Sequence, residues 1–459
     1  MAENTGRRIV IVGAGPAGIR AAQTLVAAGL RPVLVDEAPR SGGQIYRRPP
    51  SRVERSYRNL YGFEAAKAKR LHEASDAVTR QVDYRPTTLV WGREGSRLLV
   101  DGPGGRDGID FDAVILATGA MDRIVPVPGW TLPGVYSLGG AQAVIKNHAS
   151  LIGRRPIFVG TGPLLYLVAW QYAKAGARPA AVIDAGRRFD KIGALPALLS
   201  NPTMLAKGVW FVASLRIGGV PLLQGAHAEA IEQTERGLRL RYRRGGTSAI
   251  VEGDSVAIGH GLKPEGQLPE LLGCDARFDA HARLWLISTD ADTRTTVPWV
   301  YAAGDGVAIR GADAAEHSGE LAALALLTDL GLPVDGARAA ALRLRISRFD
   351  RFRRGLEAAF PYPHAQAGDI PDDTIVCRCE VVRAGELRQA AAQWSITEMN
   401  RLKAITRCGM GRCQGRICGG TAAEILARSS GRRIEEVGQP RAQAPLKPLT
   451  FNPPAEALP

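Results

Sequence analysis

The chain has 459 residues, of which 45% are hydrophobic and 23% charged, with 53 glycines and 29 prolines. That length is a prior for about three domains, and the composition is that of a globular protein with a sizeable core, which excludes fibrous and largely disordered classes. Apart from a dense basic run between Arg343 and Arg354, the net charge of +14 is spread along the chain, and aromatic residues are only 6%, so stacking platforms are sparse and no nucleic-acid partner is expected.

Met1 to Arg8 is polar, without the apolar core of an export signal, and a cytoplasmic protein is expected. Arg8 to Val12 is a short β-branched run leading into Gly13-Ala14-Gly15-Pro16-Ala17-Gly18. A helical pattern follows through Ala28 and is closed by Gly29; a second strand, Pro32 to Val35, ends in Asp36-Glu37. This is the G-x-G-x-x-G fingerprint in its strand–turn–helix setting. Gly13 allows the tight turn, Gly15 lets backbone approach a pyrophosphate, and Gly18 lets helix and strand pack closely. Amides at the helix start hold the phosphates. Asp36, eighteen residues beyond Gly18, is placed to accept from ribose hydroxyls, with Glu37 as its fallback. The fingerprint reads only the ADP half, so FAD, NAD and a bare adenine nucleotide stay open at this point.

Further along, Ser41-Gly42-Gly43-Gln44 follows the ribose acid, and Phe111 to Gly119 is a buried strand ending in the small turn Thr118-Gly119. Pro156 to Asp184 reads as a second strand–helix–strand unit, and Ala257 to Gly261 as the strand end that closes such a domain. The stretch from Pro156 to Ala173 is broken by Gly160, Thr161, Gly162 and Gln171, so no transmembrane span is expected. In this second unit the third glycine position is Leu165, which crowds the pyrophosphate approach. A scaffold without its ligand is expected, although Asp184 could still reach a ribose. Trp299 to Asp305 is another buried strand, ending in Gly304-Asp305.

The order and spacing of these pieces resemble the two-dinucleotide-fold flavoproteins. That resemblance implies FAD in the first domain, with Gly43, Gln44, Thr118, Gly119, Gly304 and Asp305 lining it and Asp305 bonded to the ribityl chain. Residues 1–273 contain no cysteine, so the paired thiol of disulfide reductases is absent. Cys274 reads as a small buried residue. His148, His260 and His317 stand alone in sequence and read as packed or surface histidines, so no substrate-catalytic residue is assigned.

A basic helical connector carries Arg343, Arg345, Arg348, Arg351, Arg353 and Arg354, a solvated face or a surface for an acidic protein. Beyond Phe360-Pro361-Tyr362-Pro363 comes Cys377-Arg378-Cys379, then helical patterns over Val382–Trp394 and Thr397–Thr406, then Cys408, Cys413 and Cys418. Thiols clustered in a chain without an export signal point to metal. The frame is C-x-C, thirty-three residues, then C-x4-C. Four thiolates suit iron or zinc, and the common zinc frames use C-x2-4-C pairs.

This segment resembles the [2Fe-2S] module named for bacterioferritin-associated ferredoxin. The match implies Cys377, Cys379, Cys413 and Cys418 as ligands; Cys408 falls where the pattern needs no cysteine and is a spare thiol or a competing ligand. Arg378, Lys403, Arg407, Arg412 and Arg416 lie near the ligands in sequence, and a helix begins near Gly420. Positive charge there favours the reduced cluster and raises its potential.

The expected fold class is α/β: two dinucleotide-binding, Rossmann-like domains of the FAD/NAD(P)-linked reductase type plus a small helical [2Fe-2S] domain. The expected divisions are residues 1–150 with 265–335 for FAD, 151–264 for the degenerate second domain, 336–372 for the connector, 373–431 for the cluster and 432–459 for a proline-rich tail. From Arg8 to about Gly431 the chain resembles the flavin–iron–sulfur α subunit of heteromeric bacterial amino-acid and opine dehydrogenases. That family includes subunits of octopine and nopaline oxidases, hydroxyproline and proline dehydrogenases, and hydrogen cyanide synthase. The resemblance implies a partner flavoprotein β subunit that oxidises the substrate at its C–N bond, room for a small additional subunit, and a quinone or other carrier as acceptor. It also allows an FMN at a subunit interface, for which no segment here stands out. Two other readings stay open: a self-contained NAD(P)H-dependent reductase, and a zinc-containing partner-binding module. The tail from Gln439 to Pro459 is rich in proline and reads as extended, suited to lie along a partner.

Overall fold

The computed structural model describes residues 6–50 and 55–449; the start of the Met1 to Arg8 segment and the end of the tail lie outside them. Two five-stranded parallel sheets organise the molecule. In the first, the strand order is Val300–Ala302, Ala113–Leu116, Ile9–Val12, Val33–Val35, Asp83–Arg85. All four residues of Ile9–Val12 and of Ala113–Leu116 are buried, because strands covered on both faces need continuous apolar runs. The helix Pro16–Ala27 crosses from the first strand to the second, with Pro16 at its first position, where a missing N–H costs nothing.

The second sheet runs Leu222–Gln224, Ala181–Asp184, Pro156–Thr161, Ser255–His260, Val135–Ser137. Each parallel sheet is accompanied by a three-stranded antiparallel one, Leu89–Asp110 in the first unit and Ala226–Gly253 in the second. The connector is one long helix, Gly336–Ala359. Of its arginines, Arg343 pairs with Asp292 at 2.5 Å and the buried Arg353 with Glu357 and Asp279, so part of that basic run is internal.

The C-terminal unit is a short hairpin, Ile375–Cys377 with Val382–Arg383, followed by helices Ala384–Gln393, Met399–Thr406, Gly419–Ser430 and Ile434–Val437. It is fastened to the rest by polar contacts as well as packing. Arg283 makes a two-pronged pair with the buried Glu424 at 2.9 and 2.7 Å, and Trp130 Nε1 donates to the Ile375 carbonyl at 2.6 Å. The tail does not project outward over its described length. Ala442 and Leu446 are buried against the first domain, and the Leu446 amide donates to the Trp91 carbonyl at 2.8 Å.

Candidate flavin and iron–sulfur sites

The glycine turn is built so that nothing but glycine fits at two of its positions. A Cβ on Gly13, whose φ is +108°, would stand 2.3 Å from the Ala117 carbonyl oxygen, and one on Gly18 would stand 1.8 Å from the Gly13 oxygen. Gly15 lies open toward Gly43 and caps the helix with no side chain, leaving first-turn amides free for an anion. Asp36 orders the turn: its Oδ2 accepts from the Ala14 amide at 2.5 Å and its Oδ1 from the Ala38 amide at 2.7 Å. Burial raises its pKa against these bonds. A carboxylate has roughly four acceptor positions, so Asp36 keeps capacity for a ribose. Glu37 instead pairs with Lys447 of the tail.

The other expected motifs converge on the same turn. The Gly42 amide donates to the Ala14 carbonyl at 2.9 Å. Gly304 approaches Ala17, and Gly306 approaches Thr118. Asp305 spends Oδ1 on the amides of Arg310 and Gly311, at 2.8 and 2.9 Å, and burial raises its pKa. Among the described residues no hydrogen bond engages its Oδ2, which leaves an acceptor for a flavin hydroxyl. Gln44 turns its side chain to Arg47. The residues present fit FAD.

Lys146 escaped the sequence reading. It is 4% exposed and donates to Ile45 O at 2.8 Å, Gln142 Oε1 at 3.0 Å and Gln44 O at 3.5 Å. Burial, reinforced by the Arg47 guanidinium, pushes its pKa down to about 7. It pins the turn after Gly43 from a helix 101 residues downstream, so no local pattern marks it.

The second domain is closed at the corner where a ribose would sit. Asp184 is 1% exposed, and Tyr166 OH at 2.6 Å, Lys191 Nζ at 2.5 Å, Thr161 Oγ1 at 3.1 Å and the Gly186 amide at 2.9 Å occupy its carboxylate. The Phe360 ring lies over Lys191, 5.0 Å from its Nζ, and 6.3 Å from Tyr166. Leu165 is fully buried. The reach of Asp184 toward a ribose, allowed by sequence, is taken up by the chain's own side chains.

At the other end, five thiols meet. Cys377 ends a strand, Cys408 follows the left-handed Arg407, and Cys418 caps the helix Gly419–Ser430. Cys377, Cys408 and Cys418 are each 1% exposed, with sulfurs all within 4.8 Å of one another. Cys413 lies close enough to Cys418 and Cys379 for them to lower its pKa to about 5 against burial, with Cys418 the larger influence. Thiol donation from Cys408 and Cys418 favours the Cys377 thiolate and holds its pKa far below the usual range. Of the four expected ligands, Cys377 and Cys418 stand in that compact group with Cys408, while Cys379 and Cys413 lie beside it; an all-sulfur set of this kind suits iron. The cationic surroundings are weaker than sequence proximity suggests. Arg407 pairs with Glu380 at 2.8 Å, Arg416 with Glu265 at 2.6 Å, and Lys403 donates to Arg441 O and Gln443 Oε1. Lys263, which the sequence reading missed, has its pKa lowered by burial, against the opposing pull of Glu265 and of Cys418 and Cys413.

One buried ion pair joins the two sites. Glu265 receives Arg416 of the cluster loop at 2.6 and 3.1 Å, while its backbone carbonyl accepts from Thr118 Oγ1 at 2.8 Å and its amide donates to Gly119 O at 2.9 Å. Arg416 and Glu265 are 8% and 13% exposed. The Thr118-Gly119 turn and the Cys413–Cys418 loop are therefore held through a single residue.

Fold and sites together define a two-domain flavin oxidoreductase with an appended iron–sulfur module. The profile described as pyridine nucleotide-disulphide oxidoreductase matches residues 7–322, and that described as BFD-like [2Fe-2S] binding domain matches residues 375–428. The chain belongs to the family of the A-type opine oxidase subunits and hydrogen cyanide synthase subunit HcnB. It is 36% identical over 457 residues to the A-type opine oxidase subunit of Rhizobium meliloti, covering 96% of this chain and 86% of the relative. With hydrogen cyanide synthase subunit HcnB of Pseudomonas aeruginosa it shares 34% over 464 residues, 97% of each. Among solved structures, the crystal structure of L-proline dehydrogenase from P. horikoshii has the same fold, with a TM-score of 0.68 at 19% identity over 97% of this chain and 78% of that one. The cofactors are FAD and a [2Fe-2S] cluster.

Proposed function

We propose that this chain is the FAD- and [2Fe-2S]-carrying electron-transfer subunit of a heteromeric dehydrogenase that oxidises an amino acid, imino acid or opine at its C–N bond. The observation that carries the reading is the Glu265–Arg416 pair, which holds the cluster loop on the flavin turn. Such a link fixes the two sites relative to each other, as passage of electrons between two carriers requires. When bound, FAD supplies a two-electron centre and the cluster a one-electron centre. A partner subunit would hold the substrate flavin, and the substrate C–N bond would become C=N there by loss of a hydride from carbon and a proton from nitrogen. A quinone or another carrier accepts the electrons in the end. The occupied carboxylate of Asp184 weighs against a self-contained NAD(P)H reductase.

The subunit names of the relatives support a partner, and the segment Arg188–Ile217 offers a surface for it. Phe189, Ile192, Val209, Trp210 and Ile217 are 52–87% exposed there, and exposed apolar side chains grouped in a patch mark protein contacts. No helix among the described residues is long and apolar enough to cross a membrane, and we place the assembly in the cytoplasm. Co-expression with the chromosomal neighbours followed by pull-down tests the reading. A second flavoprotein should co-purify, and the isolated chain should be coloured but nearly inactive. Strong amino-acid or opine dehydrogenase activity in the isolated chain would overturn the division of labour.

A further inference from the structure

Two overlapping C-x4-C frames run through the cluster loop: Cys408 to Cys413, and Cys413 to Cys418. They share their middle cysteine. Each outer cysteine sits in a turn with a glycine of positive φ, Gly409 at +93° and Gly415 at +77°. These turns pack backbone against backbone, since a Cβ on Gly409 would lie 3.5 Å from Gly415 Cα. That approach sets Cys408 beside Cys418 in the same dry corner. Both are 1% exposed, and both sulfurs lie within 4.8 Å of Cys377 and of each other. Thiolates on one tetrahedral metal stand roughly 3.8 Å apart, given metal–sulfur bonds of about 2.3 Å. Either sulfur therefore needs only a small rotation to share an iron with a neighbour.

We infer that Cys408 is a fifth, ligand-competent thiol that replaces Cys418 on the cluster. In the exchange Cys408 loses its proton as its sulfur bonds iron. Cys418 releases its bond to iron and takes up a proton. No electron moves, and Cys377, Cys379 and Cys413 keep their places. The chain thus holds two complete ligand sets differing at one position, and displacement of Cys418 leaves the site loaded. The inference rests on the [2Fe-2S] reading; zinc without acid-labile sulfide in the unsubstituted chain would remove that reading itself, whatever the variants do.

The test uses the full chain, purified anaerobically with its FAD, as Cys408→Ser, Cys418→Ser and the double variant. Iron, acid-labile sulfide and the electron paramagnetic resonance of the reduced cluster are measured. Cys418→Ser should keep at least about half of the iron and sulfide with an altered resonance, while the double variant keeps less than about a tenth. Cys408→Ser should be loaded like the unsubstituted chain yet lose its visible absorbance to an iron chelator several-fold faster. This last measurement does not depend on Cys418→Ser folding, and hydrogen exchange in the helix Ala384–Gln393 reports the fold of each variant. Cys418→Ser as empty as the double variant, chelation of Cys408→Ser at the unsubstituted rate, or loss of the cluster in Cys408→Ser alone would each overturn the inference.

Discussion

Gly13 shows how narrowly a single residue can be constrained. Its φ of +108° and the 2.3 Å approach of a Cβ to Ala117 O act together. A left-handed conformation costs an L-residue about 1–2 kcal/mol, and the contact adds to that by shifting the turn proposed to face the phosphates. Gly13→Ala should therefore purify with much less FAD and melt lower, read from the flavin-to-protein absorbance ratio and a thermal scan. Lys146 makes a prediction of the opposite kind, in protons. Its pKa falls from 10.5 to about 7 on folding. Between those values the unfolded chain binds more protons at this position than the folded one, so its contribution to stability rises with pH across that window and is lost as pH falls to 7. Each unit of depression is worth about 1.4 kcal/mol as an upper bound. Denaturant melts from pH 7 to 10 should show this rise, and Lys146→Met should flatten it.

At the scale of elements, the decisive contact is the one between the cluster loop and the flavin turn. Removing one partner of a buried ion pair costs about 3–5 kcal/mol, because the other charge is left without compensation. Arg416→Met should lower stability by that order, and adding Glu265→Gln should recover part of it. In both variants FAD and iron should be retained while electron exchange between them, followed by flash reduction, slows. The strand–turn–helix over Arg8 to Ala28 and the cysteine frame were legible in sequence because each is a local pattern whose chemistry demands particular residues. Glu265 and Arg416 were not, since they are 151 residues apart and neither belongs to a periodic or spaced motif. Arg416 was counted as a charge near the cluster, and only the fold shows that a carboxylate neutralises it. The closure of Asp184 was half legible: Leu165 signalled a degenerate turn, but Tyr166, Lys191 and Phe360 come from separate elements. The tail was read as extended, which its prolines favour, yet Ala442 and Leu446 fold back onto the first domain.

For the whole molecule, the small domain depends on its metal more than the other two do. Its core includes Cys377, Cys408 and Cys418 among a modest set of apolar side chains, and thiolate–metal bonds are folding energy in units of this size. Stripping iron and sulfide should expose residues 375–437 to limited proteolysis while the flavin remains bound. The apolar segment around Trp210 and Ile217 belongs to the same scale: Ile217→Asp should weaken co-purification of the partner without changing FAD or iron content.

On this reading electrons reach this chain from a partner's substrate and not from a nicotinamide. Anaerobic visible spectra of the isolated chain and of the co-purified complex test it most directly, each mixed first with NADH or NADPH and then with a panel of amino acids and opines. An amino acid or opine should bleach the complex and leave the isolated chain oxidised, and neither nicotinamide should reduce either sample within a turnover. Rapid reduction of the isolated chain by NADH or NADPH would contradict it.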